Sequence, residues 1–494
     1  MAIDLTLKES ATREQRLGSI TGYDGKLSDL TKQGCAGCLL NKGRRFQTVS
    51  SCSHTHTINQ LSGLTGALVV DHGPIGCSGG QIFFTLNRNR LNPPPGVPPL
   101  EHSKIISTNL DESDTIFGAV EKLRQTVLAA YERHHPKEIF IVSSCVSAII
   151  GDDIFSVAQE LNEELDIPVI AAAGEGLRSK IWATGFDSYS HAVSKARFSP
   201  PTGERNPIIN YSGFGPVGRQ YVEPFFTRLG LQLNLLVGGS TQEDFHRATT
   251  AIASWGQCSS QSNYILSVLE QEYGVRYLQS HLPYGGIGFE RFMRDLGKLI
   301  GKEDIVEEII AEEKEKYKDQ IDAIKARLKG KRAFIALGSG FAYEYSRLLW
   351  ELGVEVQHAI GYHFDPVLDQ NNLESEIAAA TDVKELKLDF DTSINDGQEM
   401  ETYLLVKEYN PDFLVSRGHE ASAWSMLQGI PSLDTEIGFV IMGYRGLVEF
   451  GTTIVEVLDS KNFVEKLGAR YVSPFTEAYE GLSPFSFYDE EAAI

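Results

Sequence analysis

The chain has 494 residues, 42% of them hydrophobic, which allows about three domains with substantial cores and excludes global disorder. Acidic residues outnumber basic ones 66 to 45, and the formal charge of −21 argues against a nucleic-acid or anionic-membrane partner. No apolar run approaches the roughly 18 residues of a membrane helix, and the opening MAIDLTLKESATREQRLGS lacks the apolar stretch of a secretory signal, so a cytoplasmic protein is expected.

Residues 1–50 are polar with little periodicity and read as an N-terminal arm. From about residue 60 the pattern is strand, turn, helix, repeated. Segment 66–70 runs into Asp71-His-Gly-Pro-Ile-Gly-Cys77; 138–143 runs into Ser144-Cys145 and an amphipathic helix through Leu165; 168–172 is another buried strand. These make a first α/β domain over 51–205. A second, 206–330, has strands at 207–211 and 231–236, a helix at 219–229 and a long charged helix at 305–330, read as a solvated bridging helix. A third, 331–460, has strands at 332–337, 354–359 and 413–416, before an irregular tail over 461–494. Such alternation predicts an α/β fold of three doubly wound, Rossmann-like domains with parallel sheets.

Gly213-Phe-Gly215-Pro-Val-Gly218 matches the dinucleotide fingerprint in the right context. The following strand ends without the acidic residue that would hold a ribose, and Pro216 removes a phosphate-facing donor. The reading is a tight strand–helix turn. No P-loop occurs, so the chain is expected to hydrolyse no nucleotide itself.

Six cysteines occur, at 35, 38, 52, 77, 145 and 258. A disulfide framework is a poor reading for a large chain with no signal segment. Inert core thiols are one alternative. The other is a metal site, because Cys77 and Cys145 fall where strands stop, which is where ligands bind in open α/β sheets. Helix ends and turn amides there are expected to favour thiolate, and soft donors select zinc, Cu(I) or iron–sulfur. Cys35-Ala-Gly-Cys38 could bind metal or exchange disulfide in an accessory role.

His-Gly-Pro-Ile-Gly-Cys77, Ser-Ser-Cys145-Val-Ser-Ala-Ile-Ile-Gly-Asp-Asp and the upstream Cys52 resemble the three-cysteine pattern of nitrogenase-type catalytic subunits. Gln257-Cys258-Ser-Ser-Gln-Ser-Asn263-Tyr264-Ile265 resembles the cofactor-ligand segment of the nitrogenase α-subunit. Glu175-Gly176-Leu-Arg178 and Gly185 resemble its cofactor-pocket loop, and Leu337-Gly338-Ser-Gly340 and Gly429-Ile-Pro431 occupy corresponding places in the third domain.

The resemblance implies that Cys52, Cys77 and Cys145 supply half the ligands of a P-cluster-like 8Fe-7S centre shared with a homologous β-type (K) subunit in an α2β2 heterotetramer. It implies that Cys258 binds a terminal iron of an Fe8S9C-type cofactor, an L-cluster or FeMo-co-like group, in a site between the three domains. Backbone N–H groups of Gly338 and Gly340 would approach its sulfides where a Cβ would obstruct, and Arg417 would offer a fork of donors. The electron donor would be an ATP-hydrolysing iron protein (H-type). Where nitrogenase has a proton-donating imidazole after the glycine equivalent to Gly185, this chain has Phe186; the pocket glutamine is Trp182; and the molybdenum-binding histidine falls on Glu436, with His419 as a rival ligand.

Losing two imidazoles argues against dinitrogen reduction. Among family members without that chemistry, the chain resembles the large subunit of methylthio-alkane reductases, which cleave C–S bonds of small thioethers to methanethiol and a hydrocarbon. The alternatives are a dinitrogen-reducing α-subunit and a cofactor-assembly scaffold. A protochlorophyllide-type tetrapyrrole reductase needs no equivalent of Cys258, and a nicotinamide oxidoreductase would rely on 213–218.

Overall fold

The computed structural model describes residues 2–32, 43–44, 52–79, 104–201, 203–213, 219–366, 375–396, 398–417, 421–435, 441–486 and 488–489. Two compact units emerge: residues 1–16, 51–216 and 231–277 form one, and 17–50, 217–230 and 278–494 the other.

The first unit holds two parallel four-stranded sheets. One runs Lys104–Ser107, Ala67–His72, Glu138–Ser143, Val169–Ala172. The other runs Arg276–Tyr277, Ala251–Gly256, Asn206–Ser212, Gln232–Leu236. Every residue of Ala67–His72 and of Glu138–Ser143 is buried, which explains their unbroken apolar runs, since helices cover both faces of a parallel sheet. The period-2 alternation still sorts the side chains. Leu68 and Val70 face a cluster with Leu123, Val127 and Leu161 of two covering helices. Ala67 and Val69 face a larger core shared with the second sheet, where Phe140, Ile208, Ala251 and Leu266 meet.

The second unit is built on a six-stranded sheet in the order Tyr23–Lys26, Asp391–Ile394, Glu355–Gly361, Arg332–Leu337, Phe413–Ser416, Ser432–Asp434. It is parallel except for its first strand, which pairs antiparallel with Asp391–Ile394. Three parallel sheets thus agree with the α/β expectation.

The structure departs from the sequence expectation at both ends. Residues 1–50 are not a separate arm: 2–16 pack into the first unit, and Tyr23–Lys26 completes the six-stranded sheet. The long helix Glu303–Leu328 is no solvated bridge. Its stripe of Val306, Ile309, Ile310, Ile321, Ile324 and Leu328 is buried, and it packs on the helices Gly285–Ile300 and Gly443–Asp459. The two units divide the 206–330 segment at 216/217, 230/231 and 277/278. In the tail, Phe475 packs against Tyr403, Trp424 and Tyr479, with ring centroids 5.6, 6.1 and 5.3 Å away. Among the described residues no helix is long and apolar enough to cross a membrane.

The helix Ser339–Glu351 carries a buried ionic cluster. Arg347 pairs with Glu344 one turn back and with Asp382 at 3.3 Å. Glu351 lies 3.9 Å from Arg347 and accepts the backbone N–H groups of Gly286 and Ile287 at 2.9 and 3.2 Å. Burial pushes the carboxyls of Glu344 and Glu351 up to about 7. Removing the guanidinium leaves buried carboxylates unpaired, so Arg347→Met should cost about 3–5 kcal/mol in urea unfolding at pH 8. The loss should shrink at pH 5.5, where both glutamates bind a proton and need no counter-charge.

Candidate metal centre

Each of the three expected thiols of the first unit sits at the mouth of a helix or turn. Cys52 precedes the helix Ser53–Ser62, in extended backbone. Cys145 opens the helix Cys145–Ile150, capped by Ser144, whose hydroxyl accepts from the Ser147 N–H. Cys77 closes a turn, donating its N–H to the Pro74 carbonyl at 3.0 Å. All three are half-buried. Among the described residues no three His, Cys, Asp or Glu side chains are arranged to hold a single ion. The Cys52 and Cys145 sulfurs nevertheless face one point. A Cβ built on Gly176 would meet them at 3.5 and 3.6 Å, with Cys52 Cβ at 3.1 Å. Gly176 thus leaves open the space between two thiols that a side chain would fill. Soft donors around an open, half-buried concavity fit a polynuclear iron–sulfide group.

The expectation that helix ends favour thiolate fails at Cys77. Burial pushes its thiol up to about 11, and Asp71 and the Cys145 and Cys52 thiols push it the same way. A metal would have to displace that proton. Behind the thiols, His54 lies buried with Nε2 3.1 Å from Asp71 Oδ1 and Nδ1 3.0 Å from the Ser143 carbonyl. Around them, Ile75, Ile116, Phe117, Ile149 and Leu177 are exposed. Ile116 and Phe117 belong to the helix Glu112–Phe117, which packs on the Cys145 helix.

Cys258 is buried and stands at the N-cap of the helix Ser259–Tyr273, with no side-chain cap. Gln261, in the first turn, donates to Gln60 Oε1 at 2.7 Å. Gln60 lies one turn beyond His56 on the helix Ser53–Ser62. That helix runs against the helix Thr184–Arg197, and Gly185 is where they touch: a Cβ there would lie 2.2 Å from the Ser53 carbonyl oxygen and 2.8 Å from His56 Cβ.

Phe186 is buried among Ile181 and Ala183, with Trp182 alongside. The sequence reading leaves this loop without an imidazole, yet the fold supplies one. The His56 ring lies 4.5 Å from that of Trp182 and 4.9 Å from that of Phe186. His56 and Gln60 escaped the sequence analysis; the signal was their helical spacing of four from each other and from Cys52. Arg178, in the short 3₁₀ turn Gly176–Arg178, has Nε 3.8 Å from Glu9 Oε2, and its buried Nη1 finds no hydrogen-bond partner among the described residues.

In the second unit, Gly338 caps the helix Ser339–Glu351. Among the described residues a Cβ on Gly338 would meet nothing nearer than Phe341 at 3.9 Å, so the protein's own packing does not demand glycine there. Gly340 is buried on that helix. The Arg417 guanidinium lies over the Phe341 ring, 4.8 Å from its centroid, and Arg417 N–H donates to the Ala336 carbonyl at 3.3 Å. His419, Glu436, Cys35, Cys38, Gly215 and Gly218 lie outside the described residues. Gly213 is described, and a Cβ on it would lie 2.8 Å from the Tyr211 hydroxyl; the turn reading for 213–218 itself falls on residues outside the described ones.

Gly185→Ala should force the two helices apart and cost about 3 kcal/mol, read as a lower denaturant midpoint. Gly338→Ala should leave the stability of the chain without metal unchanged, measured the same way.

Residues 52–459 match the family described as Nitrogenase component 1 type Oxidoreductase. The molybdenum-iron protein alpha chains of Clostridium pasteurianum and Methanosarcina barkeri are 30% and 32% identical, over 58% and 59% of this chain. Those alignments span only about half of each relative, 54% and 56%. The iron-molybdenum cofactor biosynthesis protein NifE of Methanococcus maripaludis is 25% identical over 91% of this chain and 93% of its own. A solved structure titled "Nitrogenase Cp1 at pH 5" superposes with a TM-score of 0.70 at 23% identity, covering 89% of this chain and 93% of that one. With the match running from Cys52 to Asp459, the chain belongs to the nitrogenase component 1 type oxidoreductase family.

Proposed function

We propose that the chain is the catalytic α-type subunit of a nitrogenase-like iron–sulfur reductase that cleaves C–S bonds of small methylthio-alkanes. The stoichiometry is R–S–CH3 plus two electrons and two protons giving RH and CH3SH. The observation that carries the reading is the wall of buried Phe186 and half-buried Trp182, packed together with Ile181 and Ala183 at the positions where the resemblance puts nitrogenase's polar side chains. Such a wall accepts an alkyl group, and its Phe186 ring, unlike an imidazole, offers no hydrogen bond to a reduced-nitrogen intermediate.

Cys52, Cys77 and Cys145 would hold half of a P-cluster-like 8Fe-7S centre, completed by a homologous β-type subunit. The exposed ring of Ile75, Ile116, Phe117, Ile149 and Leu177 supports that partner, because large apolar side chains gathered around incomplete ligands suit a buried interface. Cys258 would hold an Fe8S9C-type cofactor; the resemblance further assigns it donors at Arg417, Gly338 and Gly340 and a second protein ligand at Glu436 or His419. When bound, these groups supply the electron storage and transfer, with an ATP-hydrolysing iron protein as donor. The chain's own part would be to exclude water, to orient the alkyl chain against Phe186 and Trp182, and to present Arg178 of the pocket loop and His56 of the helix Ser53–Ser62 as polar groups.

A second reading is an assembly scaffold that matures a cofactor and passes it on. It is favoured by the similarity to NifE, which runs along 91% of the chain, where alpha-chain alignments cover 58%, 59% and 75%. Anaerobic co-purification with the partner decides between them. Iron content with methanethiol release from a thioether supports the reductase; negligible turnover with loss of the cofactor to an acceptor protein supports the scaffold.

Cys258→Ala should remove the large cofactor's EPR signal and iron while sparing the P-like centre. Phe186→His should weaken thioether turnover several-fold and admit small polar substrates; an unchanged substrate range counts against the wall as the specificity element.

A further inference from the structure

The segment following residue 9 carries two arginines into the interior of the first unit, beside the Cys258 helix. Arg13 is fully buried. Its Nη2 donates to Asp187 Oδ1 at 3.0 Å and to the carbonyl of Ser260, two residues past Cys258. Its backbone N–H reaches Thr184 Oγ1 at 3.3 Å. Arg16 donates to Asp187 Oδ2 through Nε and Nη2, at 3.2 and 2.9 Å, and to Asn263 Oδ1 through Nη1 at 2.7 Å. Its guanidinium lies over the Tyr264 ring, 5.1 Å from the centroid. Glu14, between them, turns to the pocket loop, accepting from the Ser179 hydroxyl and the Lys180 N–H, both at 2.7 Å.

Two consequences follow from this geometry. The first turn of the Cys258 helix is tied through Ser260 and Asn263 to Asp187, the neighbour of Phe186. The ligand thiol and the pocket wall are thereby held as one rigid piece. Two guanidinium groups, which stay charged at any accessible pH, also share the Asp187 carboxylate in an interior where water and salt screen them little. Iron–sulfur potentials respond to nearby charge and hydrogen bonding. A buried cation stabilises an added electron.

We infer that Arg13 and Arg16 are positioning residues for the group held at Cys258, pinning the turn that carries its ligand and raising its reduction potential. The inference rests on the cofactor assignment proposed above. The test uses the complex purified anaerobically with its partner subunit, carrying Arg16→Gln, Arg16→Lys or Cys258→Ala, with midpoint potentials from EPR-monitored redox titration. Arg16→Gln should move the cofactor's midpoint to more negative potential, and Arg16→Lys, which keeps the charge, should restore most of the shift. An unchanged midpoint in Arg16→Gln, or equal shifts in both variants, overturns the inference. Loss of the signal in Cys258→Ala, with either of those results, sinks the inference alone. Persistence of the signal in Cys258→Ala sinks the cofactor assignment itself. Should Arg16→Gln load no cofactor, alkylation of Cys258 in the metal-free complex, mapped by mass spectrometry, decides. Several-fold faster labelling than in Arg16→Lys supports the pinned turn, and equal rates overturn it.

Discussion

The close approach of two helices at Gly185 is the constraint on which the candidate site depends. Because residue 185 has no side chain, the Ser53 carbonyl comes within 2.2 Å of where a Cβ would stand. That contact sets the helix Ser53–Ser62 against the start of the helix Thr184–Arg197. One end of the first helix delivers Cys52 to the half-buried thiols. Its middle delivers His56 against Trp182 and Phe186, and its far turn delivers Gln60 to Gln261 beside Cys258. A single rod, held by one missing methyl group, thus links Cys52 to the first turn of the helix that follows Cys258. Close packing makes such an arrangement intolerant of small changes in volume.

Burial of charge is the second theme. The first unit encloses Arg13, Arg16 and Asp187, and also pairs Arg197 with Glu138 beneath the Ser240 and Thr65 carbonyls. The second unit encloses Arg347 among Glu344, Glu351 and Asp382. Replacing such clusters by apolar side chains is often neutral or stabilising, so net stability is a weak reason for them. Their benefit is registry, because each ties segments far apart in sequence through directional bonds. Arg13 and Arg16 join the amino-terminal segment to residues 184–187 and 260–264, and Arg347 joins its own helix to the Tyr284 carbonyl and Asp382.

Much of the architecture was legible in the sequence because parallel strands buried on both faces read as unbroken apolar runs. The segment 138–143 and the strand Glu138–Ser143 coincide, as do 332–337 with Arg332–Leu337 and 413–416 with Phe413–Ser416. The strand Tyr23–Lys26 was hidden because Tyr-Asp-Gly-Lys is an edge strand with no apolar alternation. The long helix was misplaced for a related reason. Its charged residues dominate its composition, while the narrow stripe that decides its burial is spread over 26 residues. Cys77 and Cys145 were legible as residues at strand ends. The approach of the Cys52 and Cys145 sulfurs to Gly176 was not, because it depends on where the 3₁₀ turn Gly176–Arg178 falls in space.

His56 marks the boundary of what a linear reading can reach. The resemblance puts nitrogenase's imidazole at position 186, and the phenylalanine there implies a loop without that group. A fold conserves volumes and contacts in space, and an imidazole can enter the same neighbourhood from another helix. Here it comes from four residues beyond Cys52, where its ring lies against both aromatic side chains that displaced the expected polar ones. In this arrangement the imidazole is held by the wall that the substrate would touch. Its environment is set by Trp182 and Phe186 as much as by its own helix. The ring contacts of the candidate site are therefore made jointly by two segments more than 120 residues apart in the sequence, pressed together at a glycine.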